Sequence, residues 1–310
     1  MIRAAMAVTL LSLQPAVAAD LAFVTSQNAN VVSVVDLASG AILAQTPVEG
    51  APAPVAYDPA HGRAYAISAQ TGRLSVLDES GTALQQVEMG EGAFGIAVAV
   101  GGGAFLTDWY GERLIRLDAD LTPLWSAPTG KAPAGVAVSG DGTRVATADR
   151  DDDRLSIFDA GTGRLIAHAP TGPHPYSVTW HEGRFWTADV QGDSVTVIDA
   201  ATAARIGQVK TGSHPYGVAF AGGKGFVTDQ YAGTVTVFDP ESLTPLGRIE
   251  TGDYPEGIAT LPDGSGVAVA HWDSNTLTLI DAASLTITRE IEMPDGPRAF
   301  GLFTGRQRLP

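Results

Sequence analysis

Two stretches of the chain are near copies that carry the same potentially reactive side chains. Residues 170–189 and 210–229 each contain the turn Gly-x-His-Pro-Tyr and end in aspartate, and a further histidine follows in the next part of the chain. Imidazole and carboxylate groups together suit zinc, copper or non-haem iron. The sequence therefore offers a set of candidate ligands for a divalent transition metal, which are His174, His214, His271, Asp189 and Asp229.

The same residues also have a purely structural interpretation. Proline fixes φ and removes a donor, so a His-Pro pair suits a turn in which the neighbouring side chain bonds to the loop. A carboxylate at the end of a strand can accept backbone N–H bonds from adjoining loops and hold them in place. Both interpretations remain open at this point, because a spacing of 40 residues between His174 and His214 is not a local ligand motif.

The absence of cysteine limits the remaining chemistry. The chain contains no Cys among its 310 residues, which excludes disulfides, thiolate metal sites and c-type haem attached through cysteine. A non-covalent haem would need an axial ligand from the same three histidines. No Ser/His/Asp or paired-carboxylate signature indicates a hydrolase, so the sequence favours a protein that is not an enzyme without excluding one.

A repeat positions these residues. Seven short strand-like runs end in aspartate, at intervals of 40 to 42 residues; the terminal residues are Asp36, Asp78, Asp118, Asp159, Asp199, Asp239 and Asp281. A period near 40 without a helical pattern indicates one four-stranded propeller blade per repeat. We therefore predict an all-β fold, a seven-bladed β-propeller with four-stranded antiparallel blades.

The two ends of the chain are in phase with a closed ring. After its first residues the chain begins at a second strand, Leu21 to Thr25, and it finishes with an innermost strand near Arg298 to Phe303. The C-terminal innermost strand should therefore join the three N-terminal strands and leave no free edge at the joint. We expect one domain, residues 19–310.

In such a ring, the turn before each innermost strand and the loop after each second strand lie at the same end of the central channel, here called the loop face. The first two units offer mostly Ala, Ser and Gln there, whereas the later five offer His, Asp and aromatic side chains. This asymmetry predicts a ligand-binding region made of His174, Tyr176, His214, Tyr216, Tyr254, Trp272, Arg298, Trp109 and Tyr231. The alternative for the aromatic residues is packing between blades, and they could either rim the channel or plug it. Trp180 is expected to belong to the core.

Composition and the N-terminus bear on location and partners. Residues 1–18 combine Arg3, an apolar run and Ala16-Val17-Ala18, which is typical of a cleaved signal peptide and predicts a periplasmic or secreted protein. No other segment has the length of a membrane-spanning helix. The net charge of −15 and the lack of basic runs exclude nucleic acid as a partner, while they would attract cations or a basic protein.

The units resemble the YVTN-type β-propeller repeat. The resemblance rests on valine-rich strands that end in Asp, on Gly-x-x-Pro turns, and on second-strand endings such as Ala22 to Ser26 and Gly225 to Asp229. It covers nearly all of the expected mature chain and implies the propeller fold. Related propellers include surface proteins, subunits of periplasmic dehydrogenases, haem d1 proteins and lactonase-like enzymes, so it implies no single activity.

Three functions are therefore compatible with the sequence. The first is an exported binding or scaffold module that uses its loop face to bind an unknown protein or small molecule. The second is a periplasmic metal-binding or metal-handling protein that uses His174, His214 and His271. The third is a redox or hydrolytic enzyme, or a subunit of a periplasmic dehydrogenase or haem d1 system.

Overall fold

A computed structural model describes residues 18–308 as a ring of seven four-stranded antiparallel sheets. The predicted seven-bladed β-propeller is thus confirmed. The predicted signal peptide lies outside the described residues except for Ala18. The only helix in the described part of the chain is a 3-10 turn, Arg150–Asp152, and none there is long and apolar enough to cross a membrane.

Each blade is built from consecutive strands, with blade 1 as the exception. Blade 1 contains β1 (Asp20–Ser26), β2 (Val31–Asp36) and β3 (Ile42–Pro47), and its innermost strand is the last of the chain, β28 (Thr304–Arg306). From the innermost strand outward, blade 2 contains β4 (Pro52–Asp58), β5 (Arg63–Ser68), β6 (Arg73–Asp78) and β7 (Ala83–Glu88). Blade 3 contains β8 (Ala93–Val98), β9 (Ala104–Asp108), β10 (Arg113–Leu117) and β11 (Pro123–Pro128). Blade 4 contains β12 (Pro133–Val138), β13 (Arg144–Asp149), β14 (Arg154–Asp159) and β15 (Leu165–Pro170). Blade 5 contains β16 (Pro175–His181), β17 (Arg184–Asp189), β18 (Ser194–Asp199) and β19 (Arg205–Lys210). Blade 6 contains β20 (Pro215–Ala221), β21 (Lys224–Asp229), β22 (Thr234–Asp239) and β23 (Thr244–Glu250). Blade 7 contains β24 (Pro255–Thr260), β25 (Gly266–His271), β26 (Thr276–Asp281) and β27 (Thr286–Glu292).

The core lies between blades rather than within one of them. The second and third strands are buried on both faces, and the apolar clusters combine side chains of neighbouring blades, as with Phe226 of blade 6 and Val267 of blade 7. A single blade would leave these faces in water, so the blades depend on each other for stability.

The strand-terminal aspartates hold the turns at the end opposite the loop face. Each of the seven accepts a hydrogen bond from a backbone N–H two or three residues further on, at 2.6 to 3.0 Å, as Asp239 does from Ser242. These bonds lower the pKa of Asp239 below its usual value, because they stabilise the charged carboxylate. The repeated Asp is therefore part of the turn structure.

The outermost strands are exposed and irregular. In every blade the pairing between the third and fourth strands shifts register, which marks a β-bulge. In five blades the unpaired residue is an exposed Leu or Ile; these residues are Leu43, Leu84, Leu124, Ile206 and Leu246. Bulges of this kind disrupt the free ladder of an edge strand.

The closing strand departs from the repeat. Pro297 bridges Ser26, but continuous pairing with β1 begins only at Thr304, later than the predicted Arg298 to Phe303. In blade 5 the register between the innermost and second strands shifts by one residue, whereas in blade 1 it shifts by three. The closing strand therefore contains two extra residues. The extra length forms a bulge at Phe300 and Gly301, and Phe300 bridges Pro54 of blade 2. The joint thus connects blade 1 to its neighbour as well as closing the ring.

Gly301 makes this bulge possible. Its φ is +129°, and an added Cβ would lie 2.3 Å from the carbonyl oxygen of Val55. We expect Gly301→Ala to lower the free energy of unfolding by about 1–3 kcal/mol, because the residue must adopt a strained backbone and displace its neighbour. The measurement is urea denaturation followed by circular dichroism.

Gly247, in the exposed strand β23, is the matched control. An added Cβ there would meet no atom within 4 Å, so Gly247→Ala should change the unfolding free energy by no more than about 0.5 kcal/mol. Equal denaturation midpoints for the two variants would contradict a bulge that requires glycine.

Candidate functional site

One position in each blade supplies a ring of side chains at the loop-face end of the channel. It is the residue directly after the first residue of the innermost strand, or after Pro297 in the closing segment. In blades 1 to 7 these residues are Arg298, Ala53, Phe94, Ala134, Tyr176, Tyr216 and Glu256. The repeat therefore presents different chemistry at equivalent places.

The three aromatic members of this ring pack together with Phe300 from the closing strand, and we call this cluster of Phe94, Tyr176, Tyr216 and Phe300 the plug. Ring centroids lie 4.9 Å apart for Tyr176 and Tyr216, and 5.2 to 5.7 Å apart for Phe300 and its three partners. Aromatic pairs at such separations contribute about 0.5–1.5 kcal/mol each beyond area burial. The plug fills the loop-face end of the channel with packed rings, and its central member, Phe300, comes from the bulge in the closing strand.

A buried ion pair lies beside the plug. Arg298 Nε is 2.6 Å from Glu256 Oε2, and the guanidinium also donates to Tyr216 Oη and to Gln27 Oε1, both at 3.1 Å. Gln230 donates to the other oxygen of Glu256 at 2.6 Å. Burial raises the pKa of Glu256, while Arg298 opposes that rise. Because Glu256 contacts both Arg298 and Gln230, the pair can stay ionised, and it ties blades 6 and 7 to the closing segment.

Further out on the same face, four rings form a line that we call the aromatic arc: His214, Tyr231, Tyr254 and Trp272. His214 stacks on Tyr231 at 3.8 Å between centroids; Tyr231 and Tyr254 are 5.5 Å apart, and Tyr254 and Trp272 are 6.1 Å apart. Tyr231 is 57% exposed and Tyr254 is 38% exposed. Unlike Tyr216 of the plug, which is buried, the two tyrosines of the arc present their rings to solvent.

The backbone that carries the arc is strained at equivalent places. The residue before the first proline of the innermost strand has φ of +55° at His174, +54° at His214 and +53° at Tyr254. Blades 2 and 4 place Ala51 and Ala132 at this position, with the same left-handed backbone. A large ring brings no conformational advantage there, and left-handed residues other than glycine cost on the order of 1–3 kcal/mol. Because alanine adopts the same backbone in blades 2 and 4, the turn does not require the three rings.

Neighbouring blades hold these turns in place. The backbone N–H of His174 donates to Asp153 Oδ1 at 2.8 Å, and that of His214 donates to Asp193 Oδ1 at 2.9 Å. Each bond joins the loop of one blade to the turn before the innermost strand of the next, so it fixes the backbone of that turn.

The structure places the predicted metal ligands in separate surroundings. Asp189 and Asp229 are buried and accept hydrogen bonds from the hydroxyls of their own blades, for example Thr196 to Asp189 and Thr236 to Asp229, both at 2.7 Å. Burial raises the pKa of both carboxyls. Among residues 18–308, no group of three or more His, Asp and Glu side chains is arranged to hold a metal ion. A metal site at these positions stays a prediction.

His271 occupies in blade 7 the place that Asp229 occupies in blade 6. It is fully buried, its Nε2 lies 2.6 Å from Thr251 Oγ1, and its Nδ1 lies 3.3 Å from Thr276 Oγ1. Burial lowers its pKa to about 4, so the ring is neutral at physiological pH. The arrangement matches the hydroxyl-rich setting of the aspartates, which identifies His271 as a substitution within a repeated structural site.

The predicted binding residues thus divide into two groups. Tyr176, Tyr216 and Arg298 belong to the plug and its ion pair, and Trp109 packs on Phe94 at 5.2 Å with Arg150 over its ring. His214, Tyr231, Tyr254 and Trp272 form the arc; His174 lies in the equivalent turn of blade 5, and its Nδ1 is buried without a hydrogen-bond partner among the described residues. The sequence interpretation missed Phe300, Gln27 and Gln230. The only feature of the sequence that could have indicated these residues was the extra length of the last strand, which contains Phe300.

Comparisons with known proteins agree with this fold. No family model and no curated protein sequence matches the chain. A functionally unknown protein from Desulfotomaculum acetoxidans is 14% identical, with a TM-score of 0.78 over 94% of this chain and 100% of that chain. The apo form of AztD from Citrobacter koseri is 13% identical, with a TM-score of 0.72 over 92% of this chain and 97% of that chain.

An enzyme is also among the similar structures. Dihydro-haem d1 dehydrogenase NirN, solved in complex with DHE, is 16% identical, with a TM-score of 0.67 over 93% of this chain and 76% of that chain. At such low identity these similarities establish the propeller fold and not a shared function.

The buried histidine leads to a prediction about pH. Between pH 6.5 and 4 the unfolded chain binds a proton at His271 that the folded chain does not, so the unfolding free energy falls as the pH falls. The contribution is about 3 kcal/mol. In His271→Asp, Thr276 and Thr278 can donate hydrogen bonds to the new carboxylate, as Thr234 and Thr236 donate to Asp229. This variant should lose less stability than the wild type between pH 7 and pH 4.5.

The comparison is made by thermal unfolding at several pH values. His271→Asn cannot titrate and is the matched control, which should also lose less stability than the wild type on acidification. Parallel profiles for all three proteins would show that His271 is not responsible for the pH dependence.

Proposed function

We propose that this protein is an exported, non-enzymatic binding module, and that it binds a positively charged partner through the aromatic arc and the surrounding loops of blades 5 to 7. The arc itself carries the proposal: His214 and Tyr254 stand where blades 2 and 4 place alanine, and Tyr231 and Tyr254 are exposed. Exposed aromatic side chains on a rigid scaffold are typical of binding surfaces.

The charges around the arc favour a cationic partner. The loop-face segments of blades 5 to 7 (residues 171–175, 189–194, 211–215, 229–234, 251–255 and 271–276) and the turn before the closing strand (residues 293–297) contain no Lys or Arg. They contain four exposed carboxylates, which are Asp193, Asp253, Asp273 and Asp295. The aromatic rings therefore lie in a negative field, which raises the local concentration of cations.

Aromatic faces themselves attract cations. A guanidinium or ammonium group over a Tyr or Trp ring gains about 0.5–1 kcal/mol when exposed and more when water is excluded. Tyr231, Tyr254 and Trp272 offer several such faces in one line. An arginine- or lysine-rich peptide segment of a partner protein could contact the rings and the carboxylates together, which a neutral ligand could not.

One cluster contains the residue types of a catalytic triad in a different order. Asp149, Ser156 and His168 lie together, but Ser156 is completely buried and donates its hydroxyl proton to Asp149, while His168 Nδ1 is 3.0 Å from the same oxygen of Ser156. In a hydrolase the histidine lies between the serine and the carboxylate and removes the serine proton. The order here gives a hydrogen-bonded structural network instead.

The test uses two fluorescein-labelled hexapeptides, hexaarginine and hexaglutamate, in fluorescence anisotropy titrations. Wild-type protein should bind hexaarginine in a salt-dependent manner and should not bind hexaglutamate. Tyr231→Ala, Tyr254→Ala and Trp272→Ala, combined in one variant, should weaken hexaarginine binding at least about tenfold through loss of cation–π contacts.

A triple variant on the outer strands is the matched control. Leu43→Ala, Leu84→Ala and Leu124→Ala remove three exposed side chains from the outermost strands of blades 1 to 3. None of the three belongs to the arc, so the variant should bind the peptide with unchanged affinity. Undiminished binding by the arc variant, with the fold intact by circular dichroism, would show that the arc does not bind the cation.

A further inference from the structure

We propose that the central channel contains a second binding site, reached from the end opposite the loop face, for an uncharged and mainly apolar molecule of one or two rings. The site is independent of the loop-face function proposed above. It is a cavity of about 200 Å³ below the plug, and its principal lining residues are Ile96, Val98, Val138, Trp180, Phe300 and Leu302.

The plug decides which end of the channel gives access. Phe300 lies in the plug and also lines the cavity, so packed rings form the inner end of the site. Val98 and Val138 are the last residues of β8 and β12, and Trp180 is the second-last residue of β16. The mouth is therefore at the end where the innermost strands finish.

Apolar side chains remain in contact with water at this mouth. Leu302 is 61% exposed, and Val98, Val138 and Trp180 are only half-buried. Trp180, predicted to belong to the core, packs against the apolar cluster shared by blades 4 and 5 and also lines the channel cavity. Covering apolar area is worth roughly 25 cal/mol per Å², so a ligand that fills the mouth gains binding energy from surface that the fold leaves open.

The closing strand supplies this apolar wall by departing from the repeat. Its two extra residues place Phe300 in the channel, and Leu302 follows directly after Gly301. The other six innermost strands have no such insertion, since each shifts register by a single residue. A regular strand would be enough to close the ring. The insertion therefore has a separate effect, which is to add apolar side chains to the channel.

The polar groups of the cavity define the class of ligand. No Lys, Arg, Asp or Glu lines it. Thr179 donates to the carbonyl of Val218 at 2.9 Å, and Tyr57 donates to Glu79 at 2.5 Å, so both hydroxyls are already paired. Ser177 is 7% exposed, and its Oγ has no hydrogen-bond partner among the described residues. One unpaired hydroxyl in an apolar cavity suits a ligand with one hydroxyl or carbonyl group.

The size of the cavity limits the ligand further. An apolar cavity of ~150 Å³ takes up benzene. A cavity of about 200 Å³ with an open mouth therefore has room for one ring inside and a second at the mouth beside Trp180 and Leu302. A charged group would be placed against apolar side chains without a counter-ion and would be rejected.

The experiment is a calorimetric titration of the full-length mature protein with 1-naphthol, which has two rings and one hydroxyl. Wild-type protein should bind one equivalent, with a negative heat-capacity change from burial of apolar surface. The charged analogue 1-naphthalenesulfonate should bind at least about tenfold more weakly. Leu302→Asp, a change at an exposed position, should weaken 1-naphthol binding at least about tenfold.

Two controls keep the result specific. Leu43→Asp makes the same change at an exposed position of an outer strand and should bind 1-naphthol as the wild type does. The arc variant with Tyr231, Tyr254 and Trp272 replaced should also bind it normally, so failure of the loop-face function leaves this test unaffected. No binding by the wild type, equal binding of the sulfonate, or equal binding by Leu302→Asp would each overturn the proposal.

Discussion

The whole structure depends on closing a ring of blades that cannot stand alone. Each blade buries its second and third strands only because neighbours cover both faces, as the shared clusters of blades 6 and 7 illustrate. The ring is completed where β28 pairs with β1, through three residue pairs and a separate bridge at Pro297. The ion pair of Arg298 and Glu256 lies at this joint, so the most polar buried interaction of the channel also stabilises the closure.

The repeat made the architecture predictable, because its information is local. Alternating strands, Gly-x-x-Pro turns and terminal aspartates each specify a short segment, and seven copies in phase leave few topologies other than a closed propeller. The last strand was harder to predict. The register of its bulge depends on Gly301 fitting against Val55 of the next blade, a contact between residues far apart in sequence.

The candidate site could be predicted only as a set of residues and not as an arrangement. His214 and Tyr216 are two positions apart in one turn, yet His214 joins the exposed arc while Tyr216 is 4% exposed in the plug. His214 has a left-handed backbone in the turn, whereas Tyr216 lies within β20. A pattern of residue types does not contain this difference in backbone conformation.

The bulged outer strands bear on how this protein behaves among its own copies. Seven blades expose seven sheet edges, and an unbroken edge would offer each passing chain a row of free backbone donors and acceptors. Every outer strand is instead interrupted within its pairing, and six of the interruptions carry a Leu or Ile, five of them exposed. The interrupted edges therefore disfavour edge-to-edge growth between copies, and a net charge of −15 adds mutual repulsion.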